Sequence, residues 1–273
     1  MVSTEKIVIH PDWRQLLRAH QLDQWPAVWA LATGTLVKRA PNAEIRRIEL
    51  ADGAGHRVLF VKKYNSAKPK QLWSGALRGT LLGKSKVRRE FDNLNRLRQW
   101  GLDAPAPIAY GEARRGGWLV RSFLVSEGVA DPVPLDALIR DHLPGQSAQR
   151  RELLMRLADY VRRVHEQHFV HGDLYWRNII LTRGTLTRFA LIDAQKGHCW
   201  RARAELRSRA QDLATLDAPA PGFFRRSERL RFFLRYVNQP ALTDDGKRLV
   251  RLTLQLAEPM RAPQLRRVRE GHR

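Results

Sequence analysis

Three side chains with oxygen atoms suited to metal binding lie near one another in the sequence. Asp173 and Asn178 belong to the segment HGDLYWRN, and Asp193 ends the apolar stretch FALID further along the chain. Apolar stretches on either side of a turn predict two strands, which would bring these side chains to one cavity. Carboxylate and amide oxygens suit Mg²⁺, which takes few protein ligands besides phosphate and water. The pattern therefore indicates phosphoryl transfer.

A purely structural interpretation of the same segment is the alternative. Asp and Asn are common in turns, where their side chains bond to the nearby backbone, so an ordinary hairpin would also contain them. The complete order, a polar loop, a strand, a turn and a strand that ends in Asp193, favours the catalytic interpretation.

This order resembles the catalytic loop of protein-kinase-like enzymes, in which H-x-D and an Asn five residues later precede a second, metal-binding Asp. The resemblance implies that Asp173 is the catalytic base, which orients the acceptor hydroxyl. It implies that Asn178 and Asp193 hold Mg²⁺ on the phosphates of ATP. His171 is expected to support the loop by packing, and Trp176, within the loop, to shape the acceptor pocket.

The N-terminal part of the chain contains two further residues of this pattern. In the predicted strand VLFVKKY, Lys62 stands where a kinase-like protein places the lysine that binds the α and β phosphates, and Glu90 would be its ion-pair partner. Lys63 competes for this role, but consecutive strand residues face opposite sides of a sheet. Lys62 is preferred because it shares a face with Phe60. A basic strand end and a surface glutamate are the structural alternative.

Several features depart from the protein-kinase pattern. There is no G-x-G-x-x-G; the segment TGTLVKR has only Gly34, whose backbone is expected to contact the nucleotide phosphates. Gly172 stands where many protein kinases have Arg, Ala194 and Gln195 stand where they have Phe and Gly, and no segment ends in A-P-E. These departures argue against a regulated protein kinase and favour a kinase of a small molecule or a lipid-linked sugar.

The hydrophobic pattern predicts a bilobal α+β, protein-kinase-like fold around these residues. Three strands between residues 31 and 64 and two between residues 104 and 126 form a small antiparallel sheet, on which one helix containing Glu90 packs. From residue 135 the chain is mainly helical. We expect one kinase-like domain, with a nucleotide-binding lobe over residues 1–126, a larger catalytic lobe over residues 127–273, and a cleft near the hinge at residues 126–130.

Longer segments resemble the lipopolysaccharide kinase family, the Kdo and inner-core heptose kinases of Gram-negative bacteria. They are HGDLYWRNIIL, LIDAQKGH, KSKVRREFDNLNRL with GLDAPAPIAYGEA, and SRAQDLATL, and together they cover roughly residues 30–220. The resemblance implies ATP and Mg²⁺ as cofactors and transfer of the γ-phosphate to a sugar hydroxyl of nascent lipopolysaccharide. It also implies that Asp212 braces the catalytic loop through backbone hydrogen bonds.

The charge of the chain fits an anionic partner. Its 273 residues include 49 Lys and Arg against 27 Asp and Glu, a formal charge of +22, and residues 62–89 have nine basic and no acidic residues. This run would meet an anionic sugar-lipid acceptor or the anionic inner-membrane surface, where each basic residue contributes about 1 kcal/mol. Trp73, Leu81 and Leu82 would insert at the interface. A solvated basic face without a ligand is the alternative.

A second basic region, residues 246–273, has eight basic and two acidic residues. Nucleic acid is disfavoured as a partner because the chain has no nucleic-acid-binding motif, and no particular protein partner is indicated. The single cysteine, Cys199, excludes an intramolecular disulfide. Without a secretory signal pattern or an apolar stretch of membrane-spanning length, the protein is expected to be cytoplasmic and peripheral on the inner membrane.

These observations predict an ATP-dependent kinase that phosphorylates a heptose or Kdo hydroxyl of the lipopolysaccharide inner core. A kinase of a soluble metabolite or antibiotic is one alternative. A pseudokinase that binds a membrane or a partner protein is another, against which stands the presence of the complete set Lys62, Glu90, Asp173, Asn178 and Asp193.

Overall fold

The computed structural model describes residues 3–53, 55–66, 84–182 and 188–271. The chain forms two compact units, Met1–Arg96 with Pro105–Gly128 and Leu97–Ala104 with Val129–Arg273. The first unit is built around a β-sheet, and the second is mainly helical. The assignment of nucleotide binding to residues 1–126 and of catalysis to residues 127–273 stays a prediction.

In the first unit, strands and short helices follow one another closely. The elements are β1 (Ser3–Ile9), a 3₁₀ turn (Pro11–Trp13), α1 (Arg14–Ala19), α2 (Trp25–Ala30), β2 (Thr35–Ala40), β3 (Ala43–Asp52), β4 (Gly55–Asn65), α3 (Lys86–Gln99), β5 (Pro107–Arg115) and β6 (Trp118–Glu127). The last residues of α3, from Leu97 onward, belong to the second unit.

Among the described residues, six strands of this unit form one antiparallel sheet in the order β1-β5-β6-β4-β3-β2. The five strands expected from the sequence are present, and β1 adds a sixth by pairing with β5. The turn between β3 and β4 is tight, since Asp52 pairs with Gly55. Gly53 in this turn has a φ of 61°, a left-handed conformation that glycine adopts without steric cost.

Helices cover both faces of this sheet. On β6, Phe123 belongs to a core cluster that includes Trp25 of α2. The next residue, Leu124, faces the other way and packs with Val87 and Phe91 of α3. Because side chains alternate along a strand, the residues of the neighbouring strand β4 are also divided between the α2 side and the α3 side of the sheet.

The second unit begins with a short strand and continues mostly as helix. Its elements are β7 (Pro132–Pro134), α4 (Leu135–Ala137), a π-helical turn (Leu138–His142), α5 (Ser147–Glu166), β8 (Phe169–Val170), a 3₁₀ turn (Trp176–Asn178), β9 (Ile179–Thr182), β10 (Phe189–Leu191), a 3₁₀ turn (Ala194–Lys196), β11 (His198–Cys199), a 3₁₀ turn (Ala202–Ala204), α6 (Glu205–Asp217), a 3₁₀ turn (Ala220–Gly222), α7 (Arg226–Val237), α8 (Asp244–Ala257), a 3₁₀ turn (Glu258–Met260) and α9 (Arg261–Glu270).

Helices α5 and α6 form the centre of this unit. The apolar residues Leu153, Leu157, Val161 and Val164 recur every three or four positions along α5 and are buried. Helix α5 packs against α7, and α6 packs against α8. The second half of α6 is buried on all sides, including the polar residue Asp212. Strand β9 lies between β7 and β10, and β8 pairs with β11.

Candidate active site

A buried ion pair joins strand β4 to helix α3 in the first unit. Nζ of Lys62 donates a hydrogen bond to Oε1 of Glu90 at 2.6 Å, and the two side chains are 15% and 2% exposed. Removing one partner from such a pair is costly because the other charge stays buried. The pair therefore fixes the ammonium group of Lys62 on the α3 side of the sheet.

Lys63 points to the opposite face of the same strand. Its Nζ donates hydrogen bonds to the main-chain oxygens of Trp29 at 2.7 Å and Leu31 at 2.5 Å, at the end of α2. Burial lowers the pKa of Lys63 below its ordinary value of 10.5. The alternation of side chains thus gives Lys62 a carboxylate partner and Lys63 two carbonyl partners.

Gly34 precedes β2 and lies against the backbone of β3. Its φ is 83°, and a Cβ at this position would come within 2.4 Å of the main-chain oxygen of Arg47. Any other residue would have to displace that strand, so close packing accounts for the glycine. Its predicted contact with nucleotide phosphates stays a prediction.

The loop between β8 and β9 carries Asp173 and Asn178. The main-chain oxygen of Asp173 accepts hydrogen bonds from the backbone N of Tyr175 at 2.7 Å and from Nδ2 of Asn178 at 2.8 Å. The buried Asn178 side chain therefore spans the loop and holds Asp173 in position.

Trp176 anchors this loop to the core of the second unit. Its Nε1 donates to the main-chain oxygen of Leu216 at 2.9 Å, and its ring packs edge-on against Phe223 and Phe224. With only 4% of its surface exposed, Trp176 is chiefly a packing residue. Its predicted influence on the acceptor pocket stays a prediction.

The pairing of β9 with β10 places Asn178 and Asp193 at the same end of a hairpin. Ile179 pairs with Leu191, and the backbone N of Ile192 donates to the main-chain oxygen of Asn178 at 3.0 Å. Asp193 follows directly, with a φ of 60° and a ψ of 40°. This left-handed conformation is several-fold commoner for Asp and Asn than for other residues with a side chain.

The donor atoms at this end of the hairpin fit Mg²⁺. Nδ2 of Asn178 is engaged by the loop backbone, which leaves its Oδ1 as an oxygen donor. Asp193 follows Ile192, whose backbone N donates to the main-chain oxygen of Asn178, so its carboxylate belongs to the same end of the hairpin. Among the described residues, no group of three or more His, Cys, Asp and Glu side chains forms a fuller metal site. Two hard oxygen donors agree with Mg²⁺, which completes its shell with phosphate and water.

Asp212 and His171 support the loop from beneath. The buried carboxylate of Asp212 accepts hydrogen bonds from the backbone N of His171 at 2.7 Å and of Gly172 at 2.8 Å. Nε2 of the buried His171 lies 2.9 Å from the main-chain oxygen of Ile192. These bonds tie the loop both to α6 and to the residue that precedes Asp193.

A buried polar network extends this support to α5 and α7. Nε2 of His165 lies 3.3 Å from Oδ2 of Asp212, and its Nδ1 lies 2.7 Å from the hydroxyl oxygen of Tyr236. Nε of Arg209 also donates to that oxygen at 2.7 Å. Burial raises the pKa of Tyr236 to about 12. The sequence gives no signal for these residues, because nothing in their spacing links three separate helices.

Lys196 contacts the carboxylate of Asp173, a contact not predicted from the sequence. Its Nζ donates to Oδ1 of Asp173 at 3.1 Å, and the two side chains are 60% and 14% exposed. Gly172 makes room for this segment: its φ is 73°, and a Cβ there would come within 3.0 Å of the main-chain oxygen of Lys196. The feature of the sequence that could have indicated this contact is a basic residue three positions after Asp193.

Only the ends of the basic run at residues 62–89 are described. Residues 67–83, including Trp73, Leu81 and Leu82, lie outside the described residues, so their insertion into a membrane stays a prediction. The predicted turn at residues 183–187 also lies outside the described residues. In the described part of the chain, no helix combines the length and the apolar character needed to cross a bilayer.

The chain is similar to known kinases over most of its length. The model of the lipopolysaccharide kinase (Kdo/WaaP) family matches residues 29–229. Lipopolysaccharide core heptose(I) kinase WaaP of Pseudomonas aeruginosa is 27% identical over 247 residues, which are 86% of this chain and 87% of that protein. The 3-deoxy-D-manno-octulosonic acid kinase of Mannheimia succiniciproducens is 30% identical over 126 residues, which are 44% of this chain and 50% of that protein.

Among solved structures, WaaP in complex with acyl carrier protein aligns with a TM-score of 0.67 at 24% identity, covering 93% of this chain and 99% of that one. This likeness confirms the predicted kinase-like α+β fold. The family match confirms the predicted enzyme class, a phosphotransferase that uses ATP. Because the matched region spans most of the chain and includes every predicted site residue, from Gly34 to Asp212, the chain belongs to the lipopolysaccharide kinase (Kdo/WaaP) family.

Proposed function

We propose that this protein transfers the γ-phosphate of ATP to a hydroxyl group of heptose or Kdo in the lipopolysaccharide inner core. The observation that carries the proposal is the β9–β10 pairing, which groups Asn178 and Asp193 at one end of a hairpin, together with the bond from Asn178 to the backbone of Asp173. The acceptor class is supported by the relatives, which are named as kinases of core heptose and of Kdo.

Each site residue has a role that its contacts allow. Lys62, held by Glu90, would bind the α and β phosphates, and the backbone at Gly34 would contact the nucleotide. Asp173 uses Oδ1 to accept from Lys196, which leaves Oδ2 to accept the hydrogen of the acceptor hydroxyl. That bond orients the hydroxyl oxygen towards the γ-phosphate.

The proposed metal site involves only Asn178 and Asp193. When bound there, Mg²⁺ would neutralise negative charge on the phosphates. The chain's own contribution is to hold both oxygen donors still, through the Asn178–Asp173 bond and the ladder between β9 and β10. Removal of Mg²⁺ with a chelator should stop transfer. Asp193→Asn should raise the Mg²⁺ concentration at half-maximal rate.

The direct test is phosphate transfer from labelled ATP to a purified, delipidated core oligosaccharide. A parallel panel of soluble sugars, metabolites and antibiotics separates the proposed acceptor from a small soluble one. Mass spectrometry of lipopolysaccharide from cells with and without the gene should show the loss of one phosphate group. Transfer to a soluble compound alone, with unchanged lipopolysaccharide, would refute the proposed acceptor, and the absence of any Mg²⁺-dependent ATP turnover would favour a scaffold.

We also propose that the protein associates peripherally with the cytoplasmic face of the inner membrane. Its formal charge of +22 supports attraction to anionic lipid. Co-sedimentation should be stronger with vesicles rich in phosphatidylglycerol than with phosphatidylcholine vesicles, and salt should weaken it. Equal sedimentation with both vesicle types would exclude an electrostatic attachment.

Acyl carrier protein is a candidate protein partner. The support is the similar solved structure, in which WaaP is in complex with acyl carrier protein. Size-exclusion chromatography of mixed, purified proteins tests this partner: co-elution is expected, and separate elution at micromolar concentrations would argue against a stable complex.

A further inference from the structure

A small cavity of the second unit lies between the catalytic-loop segment and the C-terminal helix. Its walls include Tyr175 and Arg177 from the loop and Gln264 and Arg267 from α9. Helix α9 lies beyond the region that the family model matches, which ends at residue 229. None of the residues proposed to act in phosphate transfer lines this cavity. Its polar side chains could therefore bind a different part of a ligand.

The ion-pair partners of the two cavity arginines decide whether their guanidinium groups could bind an anion. Within the described ranges, neither Arg177 nor Arg267 has a carboxylate within ion-pair distance, whereas Arg140, Arg150 and Arg229 each bind one. Guanidinium groups left without a carboxylate on the walls of one cavity provide donors for a bound oxyanion, because their planar edges match its geometry.

Tyr175 holds Arg177 in position. The Cζ atom of Arg177 lies 4.3 Å from the centroid of the Tyr175 ring, a cation–π contact that restricts the movement of the guanidinium group. On the other wall, the main-chain oxygen of Val268, next to Arg267, accepts a hydrogen bond from Arg140 at 3.0 Å, which secures α9.

One carboxylate, that of Asp136, also lines the cavity. It is buried and accepts a hydrogen bond from the backbone N of Ala137 at 3.0 Å. With two guanidinium groups against this one carboxylate, the cavity keeps a net positive charge. Its charge therefore favours an anion over a cation.

We propose that this cavity binds an oxyanion, a phosphate or a carboxylate, that the acceptor carries in addition to the hydroxyl that reacts. The proposal rests on the function proposed above. Arg177 is four residues from Asp173, so their Cα atoms are at most about 14 Å apart. One acceptor molecule can therefore reach both residues. The enzyme would select acceptors that already carry a negative charge, so the reaction that adds that charge must come first.

Three charge-neutralising variants test this selection. Arg177→Gln and Arg267→Gln should each raise the KM for a charged core oligosaccharide about 10- to 100-fold, the effect of losing a hydrogen bond to a charged group. The KM for ATP should not change. Arg266→Gln is the matched control, because Arg266 is exposed on the same helix and does not line the cavity. Arg177→Lys and Arg267→Lys should restore part of the loss.

The source of the oxyanion is distinguished by treating the acceptor with phosphatase. If the arginine variants and the wild type then bind the acceptor equally, the recognised group is a phosphate; if the difference persists, it is a carboxylate. Either result supports the site. Equal KM values for the untreated acceptor in the wild type and in both glutamine variants would overturn it, even though the enzyme transfers phosphate.

A binding measurement without ATP separates this inference from the proposed function. Calorimetric titration with inorganic phosphate should show binding to the wild type and to Arg266→Gln that both cavity variants lose. Circular dichroism and thermal unfolding should confirm that the variants are folded. Phosphate binding that survives both cavity substitutions, or that the wild type lacks, would overturn the site whether or not any sugar is phosphorylated.

Discussion

Lys196 donates a hydrogen bond to the carboxylate of Asp173 at 3.1 Å, across 23 residues of sequence. An exposed pair of this kind contributes about 0–1 kcal/mol to folding, because solvent screens it and ordering the lysine costs entropy. Its position beside the proposed base therefore suggests a chemical role. With Asp173 as the proposed base, the ammonium group would lie near the negative charge that develops when a phosphate approaches an acceptor hydroxyl.

Lys196→Met should lower kcat by about 10-fold or more, since it removes a charge-assisted donor beside Asp173. The melting temperature should change little because Lys196 is mostly exposed. Lys196→Arg should retain most of the rate. Steady-state kinetics combined with thermal unfolding test this, and unchanged kcat in Lys196→Met would show that the contact is incidental.

Asp173→Asn should reduce kcat by about 10² to 10⁴ because it removes the group that accepts the hydroxyl proton. The KM for ATP should stay close to that of the wild type. The main-chain oxygen that Tyr175 and Asn178 bind is unaffected, so the loop should remain folded. A rate within a few-fold of the wild type would exclude Asp173 as the base.

Lys62→Met and Lys63→Met form a matched pair of substitutions on adjacent residues. Lys62→Met should raise the KM for ATP about 10-fold or more, because it removes the cation that Glu90 positions. Lys63→Met removes two bonds to main-chain oxygens near α2 and should leave the KM for ATP unchanged. A larger rise in Lys63→Met would reverse the assignment of the phosphate lysine.

Asp212→Ala should lower the free energy of unfolding by about 2–5 kcal/mol, since it leaves two buried backbone N–H groups without an acceptor. Asp159→Ala is the control: Asp159 pairs with arginines at the surface, and its loss should cost about 1 kcal/mol or less. Urea denaturation measures both. Equal effects would mean that Asp212 does not brace the loop.

Tyr236 should make stability depend on alkaline pH. Burial raises the pKa of Tyr236 from 10.0 to about 12, so the native state keeps its proton where the unfolded chain has lost it. The stabilisation is complete below pH 10 and is lost as the pH rises through 12, with a total on the order of 2–3 kcal/mol. Stability curves of the wild type and Tyr236→Phe should therefore converge over this interval. A constant difference would contradict the assignment.

Local alternation predicted that Lys62 and Lys63 face opposite sides of the sheet, because consecutive residues of a strand cannot face the same side. Their different hydrogen-bond partners agree with this, and which of them binds phosphate stays a prediction. The family and the kinase-like fold were likewise accessible from short segments, since the loop around Asp173 and the strand before Asp193 have a recognisable order. The roles of individual site residues stay predictions that the experiments above address.

Other features depend on contacts between distant parts of the chain. Strand β1 forms because Ser3–Ile9 pairs with strand β5, 100 to 112 residues later, and no local signal specifies that partner. The same holds for the bonds of His165 and Tyr236 and for the placement of Arg177 and Arg267 on the walls of one cavity. The basic composition of α9 was evident, but which of its arginines face the catalytic loop follows only from how the helix packs.

Gly172 restricts how this enzyme can change in evolution. A side chain at this position would press against the backbone of Lys196 and would also need a φ of 73°, which residues with a Cβ rarely adopt. A first step towards the arginine of protein kinases would therefore displace the residue that contacts Asp173, and it would reduce turnover before any new control was gained. A gain of regulation by phosphorylation at this loop would therefore be favoured by a compensating change in the segment around Lys196.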